Sequence, residues 1–551
     1  MNGKLTADVQ LALIIVVISA VSCWGCAVAA GGREYVLGDV AGAGSHVLRA
    51  LATTGSDRLG WANGGSARTI RRTWLDTFDW RLYRAGLTLQ QVVGSGEPQL
   101  LLTDSGGAVL AAARLDPATR PRWPRLAAQL PAGPLQAAVA PVVGVRALLP
   151  VARAISRVGE LQALNEDAKT IARLAVDRMA VTFPARASVP ARLTLVPVRG
   201  YQGQVGKVDR AIGTLPGVSA GHGSALEAAF TAAGLRPGDQ PGKSAAVRLA
   251  PGQPAATALA AILTSLLDSM EANVPGTIRD IDTEFLHDLR VAVRWTRSAL
   301  KLCGDALPAG LAAEFRPEFR WLGDLTTPTR DLDVFVLGYE RMTSRLVGAS
   351  PADLIPFRDY LAALRTAAYH ELAAGLRSAR FGRLRSSWRA ALAGVRPVGR
   401  LTVAELADIK IAAAHRSALR TGRRITSSSP SESLHDLRKR CKELRYLVEM
   451  FGSLHDQARL SLAVRELKAL QDCLGEFQDA QVQRAKIASM AAQLLDGRSA
   501  PAPTLLAMGE IVASLAVRQS RARAQFDGRF ADFAGPGSRA RMAGLARTSR
   551  A

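Results

Sequence analysis

Two sixteen-residue stretches, LHDLRVAVRWTRSALK at 286–301 and LHDLRKRCKELRYLVE at 434–449, restrict what this chain can fold into. In the first, His287, Arg290, Arg294, Arg297 and Lys301 are spaced by three and four residues. At about 100° per residue they fall within roughly one quarter of a helix circumference. Leu286, Leu289, Val293, Thr296 and Leu300 form the adjoining apolar stripe that such a helix buries. From His287 to His435 is 148 residues, and at that offset His435, Arg438, Lys442 and Arg445 repeat the basic edge without a gap. Leu434, Leu437, Cys441, Leu444 and Val448 repeat the stripe. Self-similarity at a fixed offset marks an internal duplication. Stability alone would repeat only the apolar positions. Repeating the cations in register argues against a merely solvated basic face and for an anion that both copies hold.

Composition supports this reading but does not carry it. The chain has 551 residues, room for two or three domains, and 48% hydrophobic content, which excludes disorder as its general state. Its formal charge of +23 points to a polyanionic partner. Arginine outnumbers lysine amid abundant Ala and Gly, so part of that charge reflects overall compositional bias. Of the five cysteines, Cys303, Cys441 and Cys473 lie in helical patterns as small buried hydrophobes. Neither zinc-ligand spacing nor a disulfide framework is visible, which favours a reducing, cytoplasmic setting.

Along the chain, Leu11 to Ala30 is an apolar run long enough to span a bilayer. For the segment 1–30 a membrane tether, a cleaved signal and a misassigned start codon stay open. Residues 31–210 read as an α+β domain, with strands expected at Gly86–Val93, Gln99–Leu102, Val109–Arg114 and Ala191–Val198. Residues 211–251 are rich in Gly and Pro and read as a linker, with one short helix at Ala225–Ala233. From there to 535 the pattern is helical, with breaks expected at Pro308, Pro328, Pro351, Pro397 and the loop 426–433. The basic tail 536–551 is expected to be disordered.

The chemistry follows from the residue types. Arginine presents a planar fork of donors that matches phosphate oxygens and stays charged at physiological pH. Lysine adds a point charge, and histidine donates from either ring nitrogen. One charge-assisted bond contributes roughly 1.5–3 kcal/mol, so firm capture needs several. Asp331 and Asp479 follow their histidines by the same 44 residues and are candidates to orient an Arg or His. Further arginines at 377, 380, 383, 385 and 389, then Lys410, Arg416, Arg420, Arg423 and Arg424, could extend the basic surface. His-Asp doublets at 287–288, 435–436 and 455–456 raise a metal-dependent phosphohydrolase. Their cationic neighbours Arg290, Arg294, Arg438 and Lys439 would repel a divalent ion, so no metal is expected. No Ser or Cys sits in a nucleophile context, so no catalytic residue is assigned here.

The two HDLR helices, RDLDV from Arg330 and LQDCLGEFQDAQV from Leu470, resemble the CHAD domain over residues 252–535. The resemblance implies two duplicated four-helix bundles that bind inorganic polyphosphate without a cofactor. It points to His287, Arg290, Arg294, Arg297, Lys301 and Arg330, then His435, Arg438, Lys439, Lys442, Arg445 and Tyr446. Two positions depart from the family pattern: Trp295, and Glu449 at the counterpart of Lys301. The stretch RTIRRTWLDTFDWRLYRAGLTLQQ from Arg68 resembles part of a CYTH domain, a triphosphate-tunnel β-barrel. Active members carry alternating glutamates and a lysine on the first strand. Here REYVLGD keeps only Glu34, and Gln90 and Val92 stand where strand arginines would follow. The expected architecture is therefore a degenerate CYTH-like α+β barrel followed by an all-α CHAD domain. The expected partner is polyphosphate, with association to polyphosphate granules. Hydrolysis of tri- or polyphosphate by the barrel is the alternative. Nucleic acid is disfavoured because the basic positions lack aromatic stacking partners.

Overall fold

Alternation of inward and outward side chains builds the first half of the protein. In the strand Ala147–Leu164, buried Ala152, Ala154, Ser156 and Val158 alternate with outward Arg153, Ile155 and Arg157, the period-two pattern of a sheet with one covered face. The computed structural model describes residues 33–38, 59–94, 96–116, 122–221, 223–239 and 247–545. The apolar run at 11–30, with Cys23 and Cys26, lies outside the described residues. Two units divide the chain, Met1–Gly242 and Lys243–Ala551.

The first unit is one antiparallel sheet. Its strands are β1 (Arg33–Leu37), β2 (Gly60–Asn63), β3 (Arg68–Asp76), β4 (Leu87–Val93), β5 (Gln99–Asp104), β6 (Val109–Arg114), β7 (Arg125–Leu126), β8 (Ala147–Leu164), β9 (Thr170–Phe183), β10 (Ala187–Ser188), β11 (Arg192–Pro197) and β12 (Val218–Ala220). The main order is β12-β1-β11-β9-β8-β3-β4-β5-β6. Among the described residues four helices accompany it: α1 (Arg81–Arg84), α2 (Pro134–Val143), α3 (Val205–Gly213) and α4 (Ala225–Ala232). The Trp74-Leu75-Asp76-Thr77 turn is built on Asp76, whose carboxylate accepts from the backbone N–H of Thr77, Leu82 and Tyr83 at 2.7–2.9 Å. Burial nevertheless pushes its carboxyl up to about 6.

The expected linker at 211–251 is partly folded into this unit. Strand β12 pairs with β1, and α4 buries Leu226, Ala229 and Phe230 with Trp74 and Trp80. Glycine and proline there mark tight turns between short elements: Gly217 and Gly223 both adopt positive φ.

The second unit is helical: α5 (Ala255–Ile278), α6 (Thr283–Cys303), α7 (Leu311–Leu337), α8 (Tyr339–Thr343), α9 (Ile355–Arg377), α10 (Ala379–Ala393), α11 (Val403–Gly422), α12 (Ser431–Met450), α13 (Gln457–Asp496), α14 (Ala502–Ala534) and α15 (Pro536–Leu545). The helices α5, α6, α7 and α9 recur as α11, α12, α13 and α14, each start displaced by 148 residues or within two of it. Their stripes meet in one core that includes Leu289, Leu300, Phe319, Trp388, Leu437 and Leu444. Helix α5 is long and apolar enough to cross a membrane, but most of it is buried in this core.

Two expectations change here. Pro328 does not break a helix but lies inside α7, as does Pro317. Pro328 offers no N–H to the Asp324 carbonyl, and the helix continues because its buried residues on both sides, Phe319 and Leu322 before and Leu332 and Phe335 after, are packed in the core. The tail is helical through Leu545, because Met542 and Leu545 give it an apolar anchor on the core.

Candidate functional site

The two halves of the helical unit meet about an approximate twofold axis. Ala255 N–H donates to Leu401 O at 2.9 Å, and Val403 N–H donates to Gln253 O at 2.8 Å. Residues 255 and 403 are counterparts at the 148-residue offset, as are 253 and 401. This reciprocal bridge is what a local twofold produces. The same relation brings α6 against α12. Between them lies a groove of about 810 Å³, lined by His287, Arg294 and Trp295 of α6 and by Arg438, Lys442, Arg445 and Tyr446 of α12. Gln471, Asp472 and Gly475 of α13 complete one wall. The rings of Trp295 and Tyr446 meet edge to face at 5.6 Å.

Arg294 and Lys442 are counterparts, and both line this groove. Among the described residues, neither makes an ion pair or a side-chain hydrogen bond, and the same holds for the exposed Arg297. Burial, with Arg438, Arg294 and Arg445 close by, pulls the Lys442 ammonium down to about 8. Burial likewise pushes the Tyr446 phenol up. A pair of like charges brought together near the axis is an electrostatic cost that a bound anion would remove.

The other expected residues divide into held and exposed groups. Arg290 is committed to the fold: its Nη1 donates to Thr327 Oγ1 at 2.8 Å, Thr326 Oγ1 at 2.9 Å and Gly323 O at 3.3 Å, bracing α7 beside Pro328. Burial first, then neighbouring arginines, lowers its pKa. Its counterpart Arg438 donates instead to Asp479 at 3.1 Å. Arg330 lies 4.0 Å from Glu284 and reaches the Thr283 carbonyl at 3.5 Å. At its counterpart, Gln478 binds His435 Nδ1 at 2.8 Å. Lys301 crosses to Glu443 of α12 at 2.6 Å, Lys439 pairs with Asp436 at 3.2 Å, and Arg445 pairs with Glu449 at 2.5 Å. Asp331 receives Lys486 of α13 in a short ion pair, and its charge also acts on Arg290, whose own hydrogen bonds go to Thr326, Thr327 and the Gly323 carbonyl.

Sequence reasoning missed the groove's mixed charge. Glu284, Asp288, Glu449 and Asp472 line it beside the cations. It also missed Gln471, the counterpart of Gly323. Gln471 reaches Arg445 at 3.4 Å, whereas Gly323 has no side chain and leaves room for Arg297, whose Nη1 would stand 2.3 Å from a Cβ there. The 148-residue register was the signal for both. The arginines of α10 are partly neutralised: Arg380 binds Glu318, and Arg385 and Arg389 face Glu271. Among the described residues, no three His, Cys, Asp or Glu side chains converge as a metal site.

A duplicated helical domain with paired basic helices across an approximate twofold defines the class: a tandem helical module with a groove of mixed charge between its halves. Residues 261–488 match the CHAD domain, and the chain carries a CHAD domain there, behind an N-terminal antiparallel-sheet domain. Similar solved structures include the CHAD domain from the plant Ricinus communis, 24% identical over 52% of this chain and 95% of that one, with a TM-score of 0.45. PptA from Streptomyces chartreusis is 18% identical over 50% of this chain and 99% of that one, with a TM-score of 0.40. A putative adenylate cyclase from Bacillus halodurans is 12% identical over 33% of this chain and 87% of that one, with a TM-score of 0.25. No curated protein matches the sequence.

Proposed function

We propose that the helical domain captures inorganic polyphosphate in the groove between α6 and α12, by charge and hydrogen bonding and without turnover. The observation that carries this reading is the meeting of Arg294 and Lys442, two counterpart cations with no ion-pair partner. A phosphate group between them would relieve their repulsion and accept from Arg438 and Arg445 alongside. Exposed Arg297 and Lys439 would contact phosphates that run on from the groove. Arg290, Arg330 and His435 act by holding the helices in place. Association with polyphosphate granules follows from the same affinity.

The N-terminal sheet is read as a CYTH-like domain without the hydrolytic array. Three of its strand cations are held by carboxylates: Arg192 by Glu34 at 2.7 Å, Arg72 by Asp177 at 2.8 Å, and Arg68 by Glu160 at 3.4 Å. A triphosphate would have to displace each acid.

Titration with polyphosphates of graded length tests the groove. Wild type should bind with an affinity that falls steeply as salt rises, as polyion binding by released counterions does. Arg294→Gln with Lys442→Gln should weaken binding at least tenfold. Unchanged affinity in the double variant, at an unchanged melting temperature, removes the groove from the reading.

A further inference from the structure

The groove carries four acidic side chains against its cations, whereas a second hollow in the same domain is lined by cations with one leucine and no acid. Arg416, Arg420, Arg423 and Arg424, with Leu419, surround a space of about 490 Å³ on α11 and its C-terminal end. At 1.5 Å per residue the four arginines extend over about 12 Å, and their directions fall within roughly 100° of one another. All four are exposed, and among the described residues none makes an ion pair or a side-chain hydrogen bond.

Duplication does not account for them. Their counterparts on α5 are Asp268, Ala272, Pro275 and Gly276. The acid among these, with its neighbour Glu271, is bound by Arg389 of α10. One half therefore presents a carboxylate already neutralised, and the other presents four guanidinium groups left open. Two further arginines, from other elements, act on α11 and on the loop after it without lining the hollow. Arg539 of α15 acts together with Arg416 to keep the buried His415 imidazole below its ordinary value, after burial itself. Arg523 of α14 donates to the carbonyls of Thr426 and Ser427, fixing the loop that follows the cluster.

The hollow's chemistry selects the ligand. Leu419 is buried and no aromatic side chain lines the space, so there is no platform for stacked bases and no apolar wedge for a bilayer. Guanidinium groups alone suit a compact anion made only of phosphate. We propose that Arg416, Arg420, Arg423 and Arg424 form a second site for inorganic polyphosphate, with no lining residue in common with the groove between α6 and α12. The choice of ligand rests on the reading of this domain as a polyphosphate binder.

Calorimetry at low salt with inorganic tripolyphosphate, a ligand too short to occupy much of the surface, tests it on the full chain. Wild type is expected to take two ligands. The quadruple Arg→Gln variant at 416, 420, 423 and 424 should take one, the quadruple Arg→Lys variant two, and Arg294→Gln/Lys442→Gln one. Equal melting temperatures establish that each variant folds. If the quadruple Gln variant binds as wild type does, the second site is overturned and the groove stands. If only that variant loses binding and the groove variant loses none, the groove reading fails and the second site stands. Flotation with phosphatidylserine vesicles gives the remaining outcome. Vesicle capture that needs the four arginines and resists competition by tripolyphosphate overturns the assignment in favour of a membrane surface.

Discussion

On the proposed reading, Lys442 should make polyphosphate capture sensitive to pH in a way that can be worked out in advance. In the free protein its ammonium titrates at about 8, because burial and the charges of Arg438, Arg294 and Arg445 oppose it. A phosphate docked beside it reverses that environment and returns the pKa toward the ordinary lysine value of roughly 10.4. Below pH 7 both states hold the proton and binding is insensitive to pH. At pH 9 the free lysine has lost its proton in about ten molecules of eleven, so the apparent association constant falls about tenfold between pH 7 and pH 9. Long-chain polyphosphate is the ligand to use, since its internal phosphates do not titrate in this range. Calorimetry in buffers of different ionisation enthalpy should register uptake of about half a proton per site at pH 8. Lys442→Arg, which cannot deprotonate, should bind at pH 7 and lose the pH dependence. The stability of the unliganded protein runs the other way. A lysine depressed in the folded state is lost first by that state, so stability rises between about pH 8 and the unfolded value. A flat profile in wild type, or an equal slope in Lys442→Arg, refutes the placement of the anion against Lys442.

Other perturbations separate binding from fold. Arg294→Gln should weaken polyphosphate binding roughly 10- to 100-fold, the loss of one charge-assisted contact, with a urea midpoint that does not fall, since it also removes the repulsion on Lys442. Arg290→Ala should do the reverse. It leaves the turn beside Pro328 unbraced and should lower unfolding stability by about 1–3 kcal/mol in urea titration. Gly276→Ala would put a methyl 2.2 Å from the Phe285 ring where α5 meets α6, and about 1–3 kcal/mol of overpacking should appear as a lower melting temperature. A phosphate-release assay on tripolyphosphate with magnesium or manganese should give no turnover. Release abolished by Glu34→Gln would restore the hydrolase alternative.

Much of the helical domain was legible because its information is local and stated twice. Each helix carries its own apolar stripe, and the second copy checks the first, so α6 and α12 follow from spacing, whereas the groove between them appears only once the two halves are assembled. Of the expected proline breaks, Pro308, Pro351 and Pro397 fall between α-helices, and Pro328 alone misled, since tertiary packing around α7 holds it inside a helix that propensity would end. In the sheet domain the reading was weaker. Strands β4, β5, β6 and β11 announce themselves by turns, but β8 is eighteen residues long with arginines on its outer face. Its partners β3 and β9 lie far from it or beside it with equal sequence neutrality, and only the assembled ladder distinguishes them.

What one copy could not disclose is how side chains are spent, and here the twofold decides. Symmetry forces counterparts near the axis to face each other, so a cation repeated in both copies meets its own kind. Other counterparts face different surroundings and diverge: Arg290 donates to Thr327 beside Pro328, while Arg438 takes a carboxylate. Lys301 has become half of a bridge to Glu443, which stands at the counterpart of Trp295. Repetition of charge therefore predicts ligand contact only where the axis denies each cation a protein partner. Arg294 and Lys442 satisfy that condition, which is why they, rather than the more prominent arginines at the helix starts, carry the binding reading.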